Sequence, residues 1–173
     1  MSEPIYRSAG PAESAALAEL GRRSFIETFG HLYTPANLDA FLVTHDEARW
    51  AERLCDPAIA VRVAQVDGTL VGYARLGPPS LPFEPRGRSL ELSQLYVLKP
   101  WQGLGIAPEL MAWTIAEAKV RGVDDLYLSV FVDNHRARRF YEHGFEFVGL
   151  YAFMVGDHAD EDHVMRLSLR KPE

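Results

Sequence analysis

Residues 102 to 107 read Gln-Gly-Leu-Gly-Ile-Ala, between an apolar run ending at Val97 and Leu98 and a stretch of helical spacing. In such a turn successive backbone N–H groups can point into one concavity, with the positive end of a helix behind it. Glycine suits this role because a diphosphate must approach the backbone closely and because φ there can be positive. The chemistry on offer is anion binding without any lysine. A Walker A loop is excluded, since no lysine follows the glycines. A dinucleotide fingerprint fits poorly, because Pro108 stands at its third position and the preceding strands read as a hairpin meander. What remains is the pattern Q-x-x-G-x-A. Standing alone, it reads first as a tight strand-to-helix turn.

Three other groups of residues could carry chemistry. His158 and His163 lie among Asp157, Asp160, Glu161 and Asp162. This segment lacks the EF-hand spacing and falls between two strands, so it reads as a solvated polar hairpin loop, and no metal is expected. Cys55 is the single cysteine, which rules out an intramolecular disulfide and a cysteine-rich zinc site. Its helical setting, EARWAERLCD, suggests a small core residue. Arg136, Arg138 and Arg139 form a basic run too brief for DNA binding in a chain of net charge −6, so no nucleic-acid partner is expected.

The elements that must hold these residues can be read from periodicity. A chain of 173 residues with 47% hydrophobic and 24% charged residues fits one domain, 1–173, with a proper core. PIYRSAG reads as a strand. The next stretch, PAESAALAELGRRSFIETFG, reads as an amphipathic helix with Pro11 in its first turn. A second helical region runs from TPANLDAFLVTH to EARWAERLCD, with starts at Thr34-Pro35 and Thr44. Two strands then flank Asp67-Gly68, a hairpin signal. A loop with four prolines, GPPSLPFEPRGR, leads to the strand SLELSQLYVL. A helix from about Pro108 to Arg121, the strand DLYLSVFV and a short helix ended by Gly144 follow. FEFVGLYAFMVG and HVMRLSLR close the chain as strands across GDHADED. The order β-α-α-β-β-β-α-β-α-β-β gives an α+β, mixed-sheet class. No apolar run reaches the length of a membrane span and the N-terminus has no signal pattern, so the expected location is cytoplasmic, without membrane association.

The glycine turn does not stand alone. The strand ELSQLYVLKP before it and VFVDNHRARRFYEHGFEFVG after it complete a set of motifs in order. They resemble the GCN5-related N-acetyltransferase (GNAT) superfamily over nearly the whole chain. The closing segment FMVGDHADEDHVMRLSL is similar to the tail of its PaiA-like group, some members of which acetylate polyamines. The resemblance implies a mostly antiparallel sheet of about seven strands, splayed between the fourth and fifth and flanked by about four helices. It implies direct transfer from acetyl-CoA to a primary amine of a small molecule in a ternary complex. A protein or peptide acetyltransferase and a CoA-binding regulatory module are the alternatives. Dimers are common in the family, and a homodimer stays open.

Residue by residue, the resemblance places the pyrophosphate on the amides of Gln102, Gly103, Leu104, Gly105, Ile106 and Ala107. The pantetheine arm would lie along Leu95, Tyr96 and Val97, with Asn134 holding its far end. Tyr141 of the Phe-Tyr pair is the expected acid. Glu91 is the candidate base, on one face with Ser93 and Leu95 if period two is unbroken. Phe29, His31 and Tyr33 are candidates for the acceptor pocket. Two departures stand out: Gln102 replaces an arginine of many relatives, and Pro108 has no N–H to donate. Lys99 or Arg138 could supply the missing charge.

Overall fold

The computed structural model describes residues 2–171. The N-terminal half comprises β1 (Ile5–Ser8), α1 (Ser14–Phe29), α2 (Pro35–Leu42), α3 (Glu47–Cys55), β2 (Ala60–Val66) and β3 (Thr69–Gly77). The remainder comprises β4 (Ser89–Val97), α4 (Ile106–Val120), β5 (Asp125–Phe131), α5 (His135–Tyr141), β6 (Glu146–Val155) and β7 (His158–Ser168). All seven strands join one sheet in the order β1-β2-β3-β4-β5-β7-β6. Neighbours run antiparallel except β4 and β5, which are parallel, so the expected mixed, mostly antiparallel class holds.

Helices cover both faces of this sheet. Ile106, Leu110 and Met111 of α4 pack with Ala64, Leu92, Leu126 and Leu128 on one face, joined by Phe140 and Tyr141 of α5. Leu17 and Leu20 of α1 and Trp50 of α3 pack with Val61, Val63 and Tyr73 on the other. Ile106 and Leu110 are almost wholly buried. Burying each contributes roughly 1.5–3 kcal/mol, which seats the first turn of α4 against the sheet and fixes the loop before it.

β4 and β5 pair at only three positions, Ser89–Asp125, Leu90–Leu126 and Glu91–Tyr127, and then part. The cause lies in β4. Consecutive Arg75 and Leu76 of β3 face Gln94 and Leu92, leaving Ser93 as an extra, bulged residue. A bulge bends its strand and sharpens its twist. From Leu92 to Val97 the β5-facing edge of β4 therefore has no strand beside it. This is the splayed sheet that the family resemblance implies.

Several local expectations change. The second helical region divides into α2 and α3, capped by Thr34 and by Asp46 rather than Thr44; the Asp46 carboxylate accepts the Arg49 N–H at 2.8 Å. Helix α4 begins at Ile106, two residues before the expected Pro108, because Gly105 caps it with a φ of 88°. Cys55 is exposed, not a core residue. Helix α3 buries a narrow stripe centred on Trp50, and its last residue falls outside it. Finally, most of GDHADED is strand: β7 already starts at His158, and only the Gly156-Asp157 turn links it to β6. Among the described residues no helix is long and apolar enough to cross a membrane.

Candidate active site

Where β4 and β5 part, a cavity of about 510 Å³ opens and reaches both faces of the sheet. One end is built from backbone. Gly103 and Gly105 both adopt positive φ, 78° and 88°, which only glycine takes up without strain. An added Cβ on Gly105 would meet nothing within 4 Å, so conformation, not crowding, demands glycine there. Behind the turn, the first N–H groups of α4 have no partners within the helix. Pro108 occupies this first turn, where its missing N–H breaks no helical bond. Gln102, Gly103, Gly105 and Ala107 line the cavity. Leu104 is exposed and the Ile106 side chain is buried in the core, so these two can contribute only through their backbone.

Gln102 has a specific use. Its amide donates to the Val97 carbonyl at 3.0 Å, and its Oε1 accepts from Arg136 Nη1 at 2.7 Å. The same guanidinium lies 3.9 Å from where a Gly103 Cβ would stand. Arg136 of α5 thus brings to the cradle a cation that position 102 lacks. Arg138 does not, because it donates to the Val132 carbonyl at 2.8 Å.

Leu95, Tyr96 and Val97 of the free β4 edge, Asn134 and Tyr141 line the same cavity. Asn134 caps α5: its Oδ1 accepts the Ala137 N–H at 3.3 Å, which leaves its amide NH2 to donate elsewhere. Burial, and secondarily the neighbouring Tyr96, push the Tyr141 hydroxyl well above the usual phenol range, so it keeps its proton.

The other end is made of side chains from distant elements. Phe25, Phe29 and Tyr33 form one wall, with Phe131 and Phe153 opposite. The Phe25 and Phe29 rings lie 5.2 Å apart, and Phe29 meets Phe131 edge-on at 6.3 Å. Two buried carboxylates, Asp160 and Asp162, project from β7 into this aromatic end. Asp160 accepts the Tyr33 hydroxyl hydrogen and pairs with His158 Nε2 at 3.0 Å. Asp162 Oδ1 is buried, with no hydrogen-bond partner among the described residues. Burial raises its pKa to about 6; the neighbouring Ser129 hydroxyl opposes this and the Asp160 charge adds to it. The Asp157 N–H donates to Asn37 Oδ1 at 3.0 Å, clamping α2 onto the β6–β7 turn.

Two expected site residues lie elsewhere. Glu91 is buried but absent from the cavity wall, and its carboxylate accepts the Ser80 and Leu81 N–H groups at 2.9 and 3.1 Å. It pins the proline-rich loop. The bulge at Ser93 breaks the period-two face on which the Glu91 reading depended. His31 is exposed in the turn after α1 and does not line the cavity. Asp160 and Asp162, read from sequence as loop residues, were the ones missed. Their alternation continues through buried Val164, and that period of two was the available signal.

Parted parallel strands beside a glycine turn at the N-terminus of a helix leave a groove with room for an extended ligand. The PaiA N-acetyltransferase of Thermoplasma acidophilum, solved with coenzyme A, shares the fold with a TM-score of 0.77 at 19% identity, covering 97% of this chain and 99% of that one. A Salmonella typhimurium protein, yncA, solved with its cofactor acetyl-CoA, has a TM-score of 0.70 at 23% identity, with 99% and 97% covered. An uncharacterized N-acetyltransferase of Mycobacterium tuberculosis is 36% identical over 151 residues, 86% of this chain and 93% of the relative. The profile of the acetyltransferase (GNAT) family matches residues 18–147, and the chain belongs to that family. It is an acetyl-CoA-dependent N-acetyltransferase, with acetyl-CoA as co-substrate.

Proposed function

We propose that this enzyme acetylates a primary amine of a small cationic molecule, with polyamines the leading class. The observation that carries this reading is the pair Asp160 and Asp162, buried within an aromatic enclosure at the end of the cavity. Buried carboxylates favour a cationic partner, and ring faces attract ammonium groups. The clamp of α2 on the β6–β7 turn closes this end, which suits a small acceptor better than a peptide needing an open groove. Phe29 and Tyr33 serve as acceptor walls.

Acetyl-CoA supplies the activated acetyl group. The cradle from Gln102 to Ala107 and Arg136 bind its diphosphate, the free edge at Leu95–Val97 pairs with its arm, and the Asn134 amide donates to the end of that arm. An alkyl amine of pKa ~10.4 is mostly protonated near neutrality and must lose a proton before it attacks. Asp162 accepts that proton, directly or through water; its raised pKa makes it a stronger base than an ordinary carboxylate. As the amine nitrogen bonds to the acetyl carbon, the carbon–sulfur bond breaks, Tyr141 gives its proton to the sulfur, and the extra proton left on the acetylated nitrogen returns through water to the Tyr141 phenolate. Because the cavity reaches both faces of the sheet, both substrates can be present together, which supports direct transfer.

The test is CoA release with polyamines, neutral-chain alkylamines, amino acids, aminoglycosides and peptides. Polyamines should give the highest kcat/KM. Faster turnover of peptides would replace the small-acceptor reading. Tight acetyl-CoA binding without turnover of any amine would favour a CoA-binding regulatory role.

A further inference from the structure

On the far side of β3 from α4, four arginines gather where a chain of net charge −6 has no obvious use for them. Arg53 of α3 and Arg75 of β3 both hold their guanidinium groups over the Trp50 ring, 5.4 and 5.8 Å from its centroid. Arg53 Nη1 and Arg75 Nε are buried and have no hydrogen-bond partner among the described residues. Among the described residues no carboxylate forms an ion pair with either one. Arg49, one helical turn before Arg53, and Arg22 of α1 are exposed beside them and form no ion pair among the described residues. All four are close enough to the buried His45 to disfavour its protonated form. Buried cations without hydrogen-bond partners are costly, and the Arg75 charge further disfavours the charged form of Arg53.

We infer that Arg22, Arg49, Arg53 and Arg75 form a second ligand site, which takes a small, multiply charged oxyanion. Guanidinium forks match the paired oxygens of phosphate and carboxylate, and a multiply charged anion would satisfy the unpaired N–H donors together. The site is separate from the donor groove, because none of the four arginines lines the catalytic cavity. Between the two stands Gln94, which lines the cavity, accepts from the Tyr73 hydroxyl at 2.8 Å and lies 3.5 Å from His45 Nδ1.

Calorimetry and thermal unfolding with sodium pyrophosphate and, separately, trisodium citrate test the site, with acetyl-CoA saturating so that the cradle is filled. At least one probe should bind with measurable heat and raise Tm in proportion to the logarithm of its concentration. Pyrophosphate alone would identify a phosphate ligand, citrate alone a carboxylate ligand, and both an oxyanion site indifferent to the head group. Arg75→Met should abolish the shift while raising Tm in anion-free buffer, because it removes an unpaired cation. Arg49→Gln with Arg53→Gln, which leaves the strand intact, should weaken probe binding at least tenfold. The inference is overturned if neither probe binds, or if both variants bind the probes as the wild type does.

Discussion

The two ends of the catalytic cavity are built on different principles. The end proposed for the donor is a backbone device: two glycines at positive φ, the first turn of α4 and an unpaired strand edge. The end proposed for the acceptor is a side-chain device, in which Tyr33 meets Asp160 from 127 positions away in sequence. A backbone site needs few specified residues and serves any acceptor. A site of converging side chains specifies the acceptor and depends on protonation.

If that division is right, removing a carboxylate should spare the donor end. Asp162→Asn should lower kcat by roughly 10²–10⁴-fold, the usual contribution of a positioned base, with acetyl-CoA affinity unchanged. Tyr141→Phe should lower kcat by about 10²-fold, again with little change in acetyl-CoA affinity; pre-steady-state and binding measurements together separate the two quantities. An unaltered kcat in either variant would remove that residue from the chemistry.

The converse change should strike the donor end alone. Gly105→Val forces a branched side chain to φ near 88°, at a cost of roughly 1–3 kcal/mol, so acetyl-CoA should bind about 10–100-fold more weakly. Arg136→Met removes an exposed cation whose place Gln102 sets. It should weaken acetyl-CoA binding about fivefold and flatten its dependence on salt. Isothermal titration at two ionic strengths measures both effects, and a loss confined to acceptor KM would contradict the division.

The same division governs what the sequence could disclose. The cradle and the parted strands were legible because their signals are local: Gln102 to Ala107 is one continuous run, and the flanking strand and helix follow directly. Tyr141 and Asn134 were legible through the short segment that carries them, and both line the cavity. Glu91 misled because one bulged residue, Ser93, reverses the side-chain alternation on which its reading relied. Asp160 and Asp162 were hidden by composition. Acidic residues near a turn resemble a solvated loop, and only the pairing of β7 between β5 and β6 buries them. Arg136 was passed over for Arg138 because two positions on a short helix differ in direction, which spacing alone did not resolve.

The smallest effect in the wild type should be the most informative about its buried titratable groups, because two larger ones oppose each other. Burial, with the surrounding arginines, depresses the His45 pKa to about 4 from the usual 6.5. Between these values the unfolded chain binds more protons, so stability is lost as pH falls from about 6.5 to 4, by about 3 kcal/mol. Asp162, raised from 3.8 to about 6, does the reverse. The folded state binds the extra proton between these values, so stability is gained as pH falls through the same window, again by about 3 kcal/mol. The two contributions should nearly cancel. His45→Gln should therefore grow more stable from pH 6.5 to 4 relative to wild type, and Asp162→Asn less stable. Urea unfolding at pH 4, 5, 6 and 7 measures both slopes. Parallel curves for the three proteins would mean that neither group is held in the state its burial implies.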